Sequence, residues 1–324
     1  MKIHPVYNLM EQQLQEFRQR YQAVMVLHAD SRLQFFLAEI EKKSGKRLRP
    51  LVTLLAAAAN GGITDSSYQA AMMVEMLHAS SIIHDDVIDN GEIRRGNPSV
   101  NVCYGNQTAV LLGDYILAQC MEMIASNAYL VQLSAHVARK MAEGELLQLK
   151  NKGNTAIDEN DYYEIIKNKT AVLFSACFEA GARSANTLSS DSVLQWAKAG
   201  TDFGMLFQIC DDIADYFVHK QKKDNHKDIL EHKITLPLLA ALKHCTASQQ
   251  EELLYQYIHH QGSQKEVQAI CSKVAEKGGL DDAMQIVLQK KKQLENFLRT
   301  NKPSAYITAL RNVIDYVIQT VKQV

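Results

Sequence analysis

The chain has 324 residues, 47% of them hydrophobic, enough for one large domain or two moderate ones around a substantial core. Its fifteen glycines and five prolines fall well short of the roughly 39 that ordinary usage supplies, which argues against a turn-rich β-sandwich or barrel and for long helices. Lys and Arg number 35 against 36 Asp and Glu, a net charge of -1, so the basic footprint of a nucleic-acid binder is absent.

Taken in chain order, Tyr7 to Lys43 reads as an amphipathic helix, with Leu9, Leu14, Phe17, Tyr21 and Val24 at three- and four-residue intervals. After a turn at Ser44-Gly45, Pro50 suits the first turn of a helix that runs through LVTLLAAAA to Asn60-Gly61-Gly62. Asp65-Ser66-Ser67 caps a third helix, apolar on most sides and closed by Asn90-Gly91. Helices follow over 105–125, 130–150, 159–183 and 190–218. The most polar stretch, 219–233, reads as an ordered functional loop or lid, or as a plain solvated loop, and amphipathic helices resume beyond Pro237. With no convincing strand run, fixed-period repeat or low-complexity linker, the economical expectation is a single all-α domain over 1–324.

Cys103, Cys120, Cys177, Cys210, Cys245 and Cys271 stand singly, with no C-x-x-C pair. That fits reduced thiols in a cytoplasmic protein rather than a zinc site or a disulfide scaffold. The start, MKIHPVYNLMEQQ, lacks an apolar signal core, and the best apolar run, Leu51 to Ala59, is far short of the ~18 residues that a spanning helix needs.

Two segments share the pattern Asp-Asp-x-x-Asp: Asp85, Asp86 and Asp89, and Asp211, Asp212 and Asp215. Each ends a strongly apolar run, HASSIIH before the first and GMLFQIC before the second, where like charges repel and lose solvation. Positions i and i+4 share a helix face. Clustered carboxylates facing a cavity suit Mg²⁺, which keeps waters and shares its coordination with substrate phosphates. The alternative is a pair of solvated acidic helix ends. Beside the acids stand cations: Lys46, Arg47 and Arg49 in GKRLRP, Arg94 and Arg95 in EIRRG, and Lys169-Thr170 inside an otherwise apolar helix. Acids, metal and these groups together can clamp a diphosphate from both sides.

The ordered motifs GKRLRP, EMLHASSIIHDDVIDNGEIRRGNPS, LLGDYILA, EGELLQL, KNKTAVLF, FGMLFQICDDIADY and HKITLP, from about Gly45 to Pro237, resemble the trans-type isoprenyl diphosphate synthases of the medium- and long-chain branch. The resemblance implies an all-helical bundle of the class I isoprenoid synthase type, homodimeric, with a central cavity between the two acidic motifs. It implies that Asp85, Asp89 and Asp211 ligate three Mg²⁺ ions, with Asp86, Asp212 and Asp215 supporting them through water or from behind. Lys46, Arg49, His78 and Arg95 would bind the diphosphate of isopentenyl diphosphate, and Arg94, Lys169, Lys223 and Lys233 that of the allylic substrate. Thr170 and Gln208, with Lys169 nearby, would stabilise the allylic carbocation. One departure stands out: the family's G-K-x-x-G-x-D stretch is replaced by residues 222–228, so that Lys222 or Lys220 competes with Lys223, and His232 takes the place of a glycine before Lys233.

Ser81 and Ser80, four and five residues before Asp85, are placed about one turn (~5.4 Å) below the reaction centre. Short-chain family members carry bulky aromatics there. Two serines leave a tunnel open towards Leu77, Val74 and Met73, with Met121 and Met123 as lower walls. The expected product exceeds C20, at about C30–C50, for a quinone side chain and delivered to a membrane. The alternatives are a farnesyl or geranylgeranyl diphosphate synthase, a non-catalytic partner subunit, or a terpene cyclase, the last opposed by GKRLRP, His78 and Arg95. A di-metal carboxylate bundle needs Glu-x-x-His pairs on facing helices and is excluded by the Asp-rich pattern.

Overall fold

Proline is placed where a helix tolerates it: Pro5, Pro50 and Pro237 each sit in a first turn, whose N–H groups have no intrahelical partner. The computed structural model describes residues 3–27, 29–42, 45–217 and 226–322. Its helices are α1 (His4–Leu9), α2 (Glu11–Gln22), α3 (Gln34–Lys42), α4 (Leu48–Ala59), α5 (Asp65–Ile88), α6 (Val100–Tyr104), α7 (Asn106–Ile124), α8 (Ala128–Lys150) and α9 (Glu159–Ile166). There follow α10 (Val172–Ser184), α11 (Ser190–Asp215), α12 (Lys227–Leu230), α13 (Leu236–Lys243), α14 (Ala247–His259), α15 (Gln264–Glu276), α16 (Gly279–Thr300) and α17 (Ala305–Lys322). The fold is all-α, and no described helix is long and apolar enough to cross a membrane.

Three expected boundaries are corrected. The first helix is broken into α1, α2, a π turn at Ala23–Leu27 and α3. Met10 leaves helical geometry, and Asp30 accepts from the backbone N–H of Arg32 at 2.9 Å, which stabilises a turn. The cap of α5 is Thr64 rather than Asp65: its hydroxyl accepts from Ser67 N at 3.3 Å and the Ser67 hydroxyl accepts from Thr64 N at 3.0 Å. The helix expected over 159–183 contains a second π turn at Lys167–Ala171, an inserted residue that redirects Lys169 and Thr170.

Among the described residues the strands are a two-residue hairpin, Ile93–Arg94 paired with Asn97–Pro98. Its loop, Arg95-Gly96, has positive φ at both positions, the conformation that suits a tight hairpin. In the interior, α10 packs against α11, α4 and α5, while α5 packs on α7 and α11 on α16 and α17. Phe174, Phe178, Phe203 and Trp196 fill the centre, with Phe174 meeting Phe203 edge-on at 5.0 Å. Surrounded on most sides, α5 and α11 have little amphipathic character, and their acidic ends are what they carry out of the core.

Candidate active site

The acidic ends of α5 and α11 are tied across a gap by one segment, 227–233. The backbone N–H groups of Lys227 and Asp228 donate to the two carboxylate oxygens of Asp215, each at 2.9 Å. The Lys227 ammonium reaches back to Asp89 at 3.7 Å, and Lys233 lies 3.3 Å from the same carboxylate. Burial works against it, but Lys233 and Lys227 hold Asp89 below the usual carboxylate range. The opposite holds nearby: burial, reinforced by Glu145 and Asp89, pushes Asp85 up to about 6. Burial likewise raises Asp86, Asp212, Asp215 and Asp228. A site crowded with carboxylates whose charge is this unfavourable suits an added cation.

Among the described residues no three His, Cys, Asp or Glu side chains converge as a ready-made metal cage. Asp212 is committed within the protein, because Tyr162 OH donates to one oxygen at 2.5 Å and Gln208 Nε2 to the other at 2.8 Å. Asp215 is committed to the start of α12. Asp86, buried, lies 3.5 Å from Arg94, whereas Asp211 is exposed.

Thr170 donates to Gln208 Oε1 at 2.7 Å and so joins the chain that runs through Asp212 to Tyr162. With its proton thus engaged, the Thr170 oxygen has lone pairs to turn elsewhere. Lys169 forms an ion pair with Glu145, a buried acid on α8. The close fit depends on Gly144, where a Cβ would lie 2.5 Å from Lys169 N. Lys169, Thr170, Gln208, Asp212 and Lys233 line one cavity of about 130 Å³.

A second cavity, about 70 Å³, is lined by Arg47, His78, Arg94, Arg95 and Asp86 among others. Arg49 Nη1 is 2.9 Å from His78 Nε2. A guanidinium can only donate, so His78 accepts there and is neutral. Burial, then Arg49 and Arg95, drives its pKa well below the ordinary range. Arg49 lies over the Phe174 ring at 4.8 Å, and its Nε is buried without a partner. Burial works against the charge of Arg49 and Arg95, with Arg94 adding to the strain on Arg95. The cluster suits an anion. Arg47 serves as its anchor, paired to Glu75 at 2.6 Å and Glu41 at 2.7 Å and lying over Tyr21. The Lys46 ammonium meets the Tyr316 hydroxyl, and its carbonyl accepts from Tyr7.

The expected groupings are partly rearranged. Arg94 sits with Arg95 in the second cavity rather than beside Lys169 and Lys233. Lys223, like Lys220 and Lys222, lies outside the described residues. Ser80 does not face an open path: it is buried, with its hydroxyl on Gly113 O at 2.9 Å where α5 meets α7. Ser81 is half-buried and turns its hydroxyl to His78 O, and Leu77 is packed in the core. Met121 is exposed rather than a tunnel wall. Glu145, Tyr162, Lys227 and Asp228 had no expected role. Glu145 was signalled by an acid recurring in the apolar EGELLQL, but Tyr162 has no such signal.

An all-α bundle with two acidic helix ends, each contributing an aspartate to a cavity that also holds Arg or Lys side chains, defines a protein that handles anionic substrates together with metal. The profile of the polyprenyl synthetase family matches residues 30–274. The chain is 31% identical over 319 residues to the octaprenyl diphosphate synthase of Haemophilus influenzae, covering 96% of this chain and 94% of that one. It is 33% identical over 279 residues to an all-trans-nonaprenyl-diphosphate synthase (geranyl-diphosphate specific) of Rhodobacter capsulatus, covering 85% of each. A polyprenyl synthase from Caulobacter crescentus, solved with calcium and isoprenyl diphosphate, superposes with a TM-score of 0.90 at 27% identity, over 98% of this chain and 97% of that one. The chain belongs to the polyprenyl synthetase family and is a prenyltransferase. The family is one of divalent-metal enzymes.

Proposed function

We propose that the chain, as a single domain over 1–324, is a trans-polyprenyl diphosphate synthase. It joins isopentenyl diphosphate head-to-tail to an allylic diphosphate and makes a product of about C30–C50 for a quinone side chain. The observation that carries this reading is the presence of two cavities, one lined by Arg94 and Arg95 with Asp86 of the first acidic motif and one by Lys169 and Lys233 with Asp212 of the second, one for each diphosphate. The named octaprenyl and nonaprenyl relatives support the longer product.

Asp85, Asp89 and Asp211 would chiefly hold Mg²⁺, three ions, which would supply neutralisation of the leaving diphosphate's charge. Lys169 and Lys233 hold the allylic diphosphate. Lys46, Arg49, Arg95 and neutral His78 hold that of isopentenyl diphosphate, with Arg94 between this group and Asp86. When the allylic C–O bond breaks, the oxygens of Thr170 and Gln208 face the cation. The alkene of isopentenyl diphosphate then forms the new C–C bond, and the proton lost passes to the departing diphosphate. Asp212, Asp215 and Tyr162 keep these groups in place. The protein acts in the cytoplasm as a homodimer, with the exposed apolar side chains Val110, Leu111 and Met121 of α7 as the contact face, and its product passes to a membrane.

The test is incubation with Mg²⁺, labelled isopentenyl diphosphate and farnesyl or geranylgeranyl diphosphate, followed by sizing of the products. Chains of C30–C50 are expected, and no extension with either primer overturns the reading. Because Ser81 is the small residue left beside the growing tail, Ser81→Phe should shorten the product. An unchanged length overturns that part.

A further inference from the structure

Lys233 is held by a backbone segment that contains a departure from the family pattern. His232, where a glycine is usual, lies at φ +54°, the left-handed region that side chains disfavour. Several contacts fasten it there. The backbone N–H of His232 donates to Ile229 O at 3.0 Å, and its carbonyl accepts from Gly153 N at 3.2 Å. Lys233 N donates to Asp228 O at 2.8 Å, and Tyr257 OH donates to Lys233 O at 2.6 Å. The His232 side chain adds what glycine cannot: Nδ1 donates to Tyr257 O at 3.1 Å, and its ring packs against that of His260, tilted by 35° with centroids 4.6 Å apart.

His260 is buried just beyond α14, and its partners determine its tautomer. Gly262 N–H can only donate, at 3.1 Å to Nδ1, and Ile229 O can only accept, at 2.9 Å from Nε2. His260 is therefore a neutral imidazole with its proton on Nε2. It shares the Ile229 carbonyl with the backbone N–H of His232, so the loop after α14, the end of α12 and the Lys233 segment meet at one oxygen.

We infer that His232 and His260 are a pair of positioning residues that replace glycine's backbone freedom with a packed, hydrogen-bonded lock and aim Lys233 at the diphosphate nearest Asp89. The inference rests on the reading of Lys233 as a group that holds the allylic diphosphate. Lys233 lines one cavity and His78 and Arg95 line the other, so the lock acts on one diphosphate and not on the other.

The test is calorimetric titration with farnesyl diphosphate and, separately, isopentenyl diphosphate, both in Mg²⁺, with thermal midpoints recorded alongside. His260→Ala and His232→Gly should each weaken farnesyl diphosphate about ten-fold while isopentenyl diphosphate stays within about two-fold. His232→Gly suits the left-handed backbone and so keeps the test open if His260→Ala does not fold. His260→Gln, which keeps a donor for Ile229 O, should recover most of the loss. The inference is overturned if His232→Gly binds farnesyl diphosphate as wild type does, if both ligands weaken together, or if His260→Gln falls as far as His260→Ala. Lys233→Ala separates the two levels. If it leaves farnesyl diphosphate binding unchanged, the reading of Lys233 fails and the lock falls with it; if it weakens binding and the histidine variants do not, the lock alone is wrong.

Discussion

At the end of α5, Asp86 and Asp89 face cationic side chains, Arg94 at 3.5 Å and Lys233 at 3.3 Å, and Asp85 stands in a buried setting that disfavours its charge. At the end of α11, the same Asp-Asp-x-x-Asp spacing is turned inward. Asp212 accepts from Tyr162 and Gln208, and Asp215 accepts from two backbone N–H groups of the next segment. Equal spacing therefore does not mean equal work. The first end keeps its carboxylates towards side-chain cations that a substrate or metal can displace. The second uses two of its three to hold the 226–233 segment and the Thr170–Gln208 chain, leaving Asp211 at the surface.

The largest contrast should come from Asp85→Ala. Activity should fall about 10³-fold while the thermal midpoint holds or rises, since the folded state disfavours that charge. A midpoint that collapses with activity would make the first end structural as well. Asp215→Ala should behave in the opposite sense. Two half-buried N–H groups lose their acceptor, which costs about 1 kcal/mol of stability, visible as a lower urea midpoint together with weaker farnesyl diphosphate binding. An unchanged midpoint would erase the difference between the two ends.

Dependence on pH sharpens the same contrast. Folding raises Asp85 from 3.8 to about 6 and raises Asp86, Asp212 and Asp215 as well. The folded state thus holds these protons more tightly than the unfolded chain. Their contribution to stability is complete below about pH 4 and is lost as pH rises through about 6. In chelator, thermal midpoints should fall between pH 5 and 7, as in the range the shifted Asp85 sets. Adding Mg²⁺ should restore them at neutral pH, with the gain fading as the carboxylates are protonated. A gain independent of pH would mean that the metal binds elsewhere. Tyr162→Phe should have the smallest effect. It removes one of the two donors to Asp212, for about 1 kcal/mol of stability and a several-fold loss of kcat, and an unaltered kcat would show that the chain through Gln208 does not depend on Tyr162.

Much of the site was legible because its residues lie close together in sequence. Asp85 to Arg95 and Lys169-Thr170 are local motifs, and an acid at the end of an apolar helix is a conflict visible in the letters alone. Contacts between distant positions were not legible. Tyr162 reaches Asp212 across 50 residues, and Lys46 meets Tyr316 across 270. Nor was the direction of a side chain on a helix buried all round. Ser80 and Ser81 are neighbours in sequence, yet one bonds α7 and the other its own helix. The π turn at Lys167–Ala171 escaped periodicity because one inserted residue leaves the apolar pattern nearly intact.

By itself the sequence determined the helical class, through its shortage of Gly and Pro and its three-to-four-residue periodicity, and it determined which chemistry is present, through two acidic motifs and their cations. Those properties are local, set by backbone preference and residue type. Only the tertiary structure decided which carboxylates remain to be engaged and which are consumed, that Arg94 joins Arg95 rather than Lys169, and that a histidine pair stands behind Lys233. Hydrogen bonds and ion pairs depend on distances of a few ångströms between groups far apart in the chain, and packing alone sets those distances.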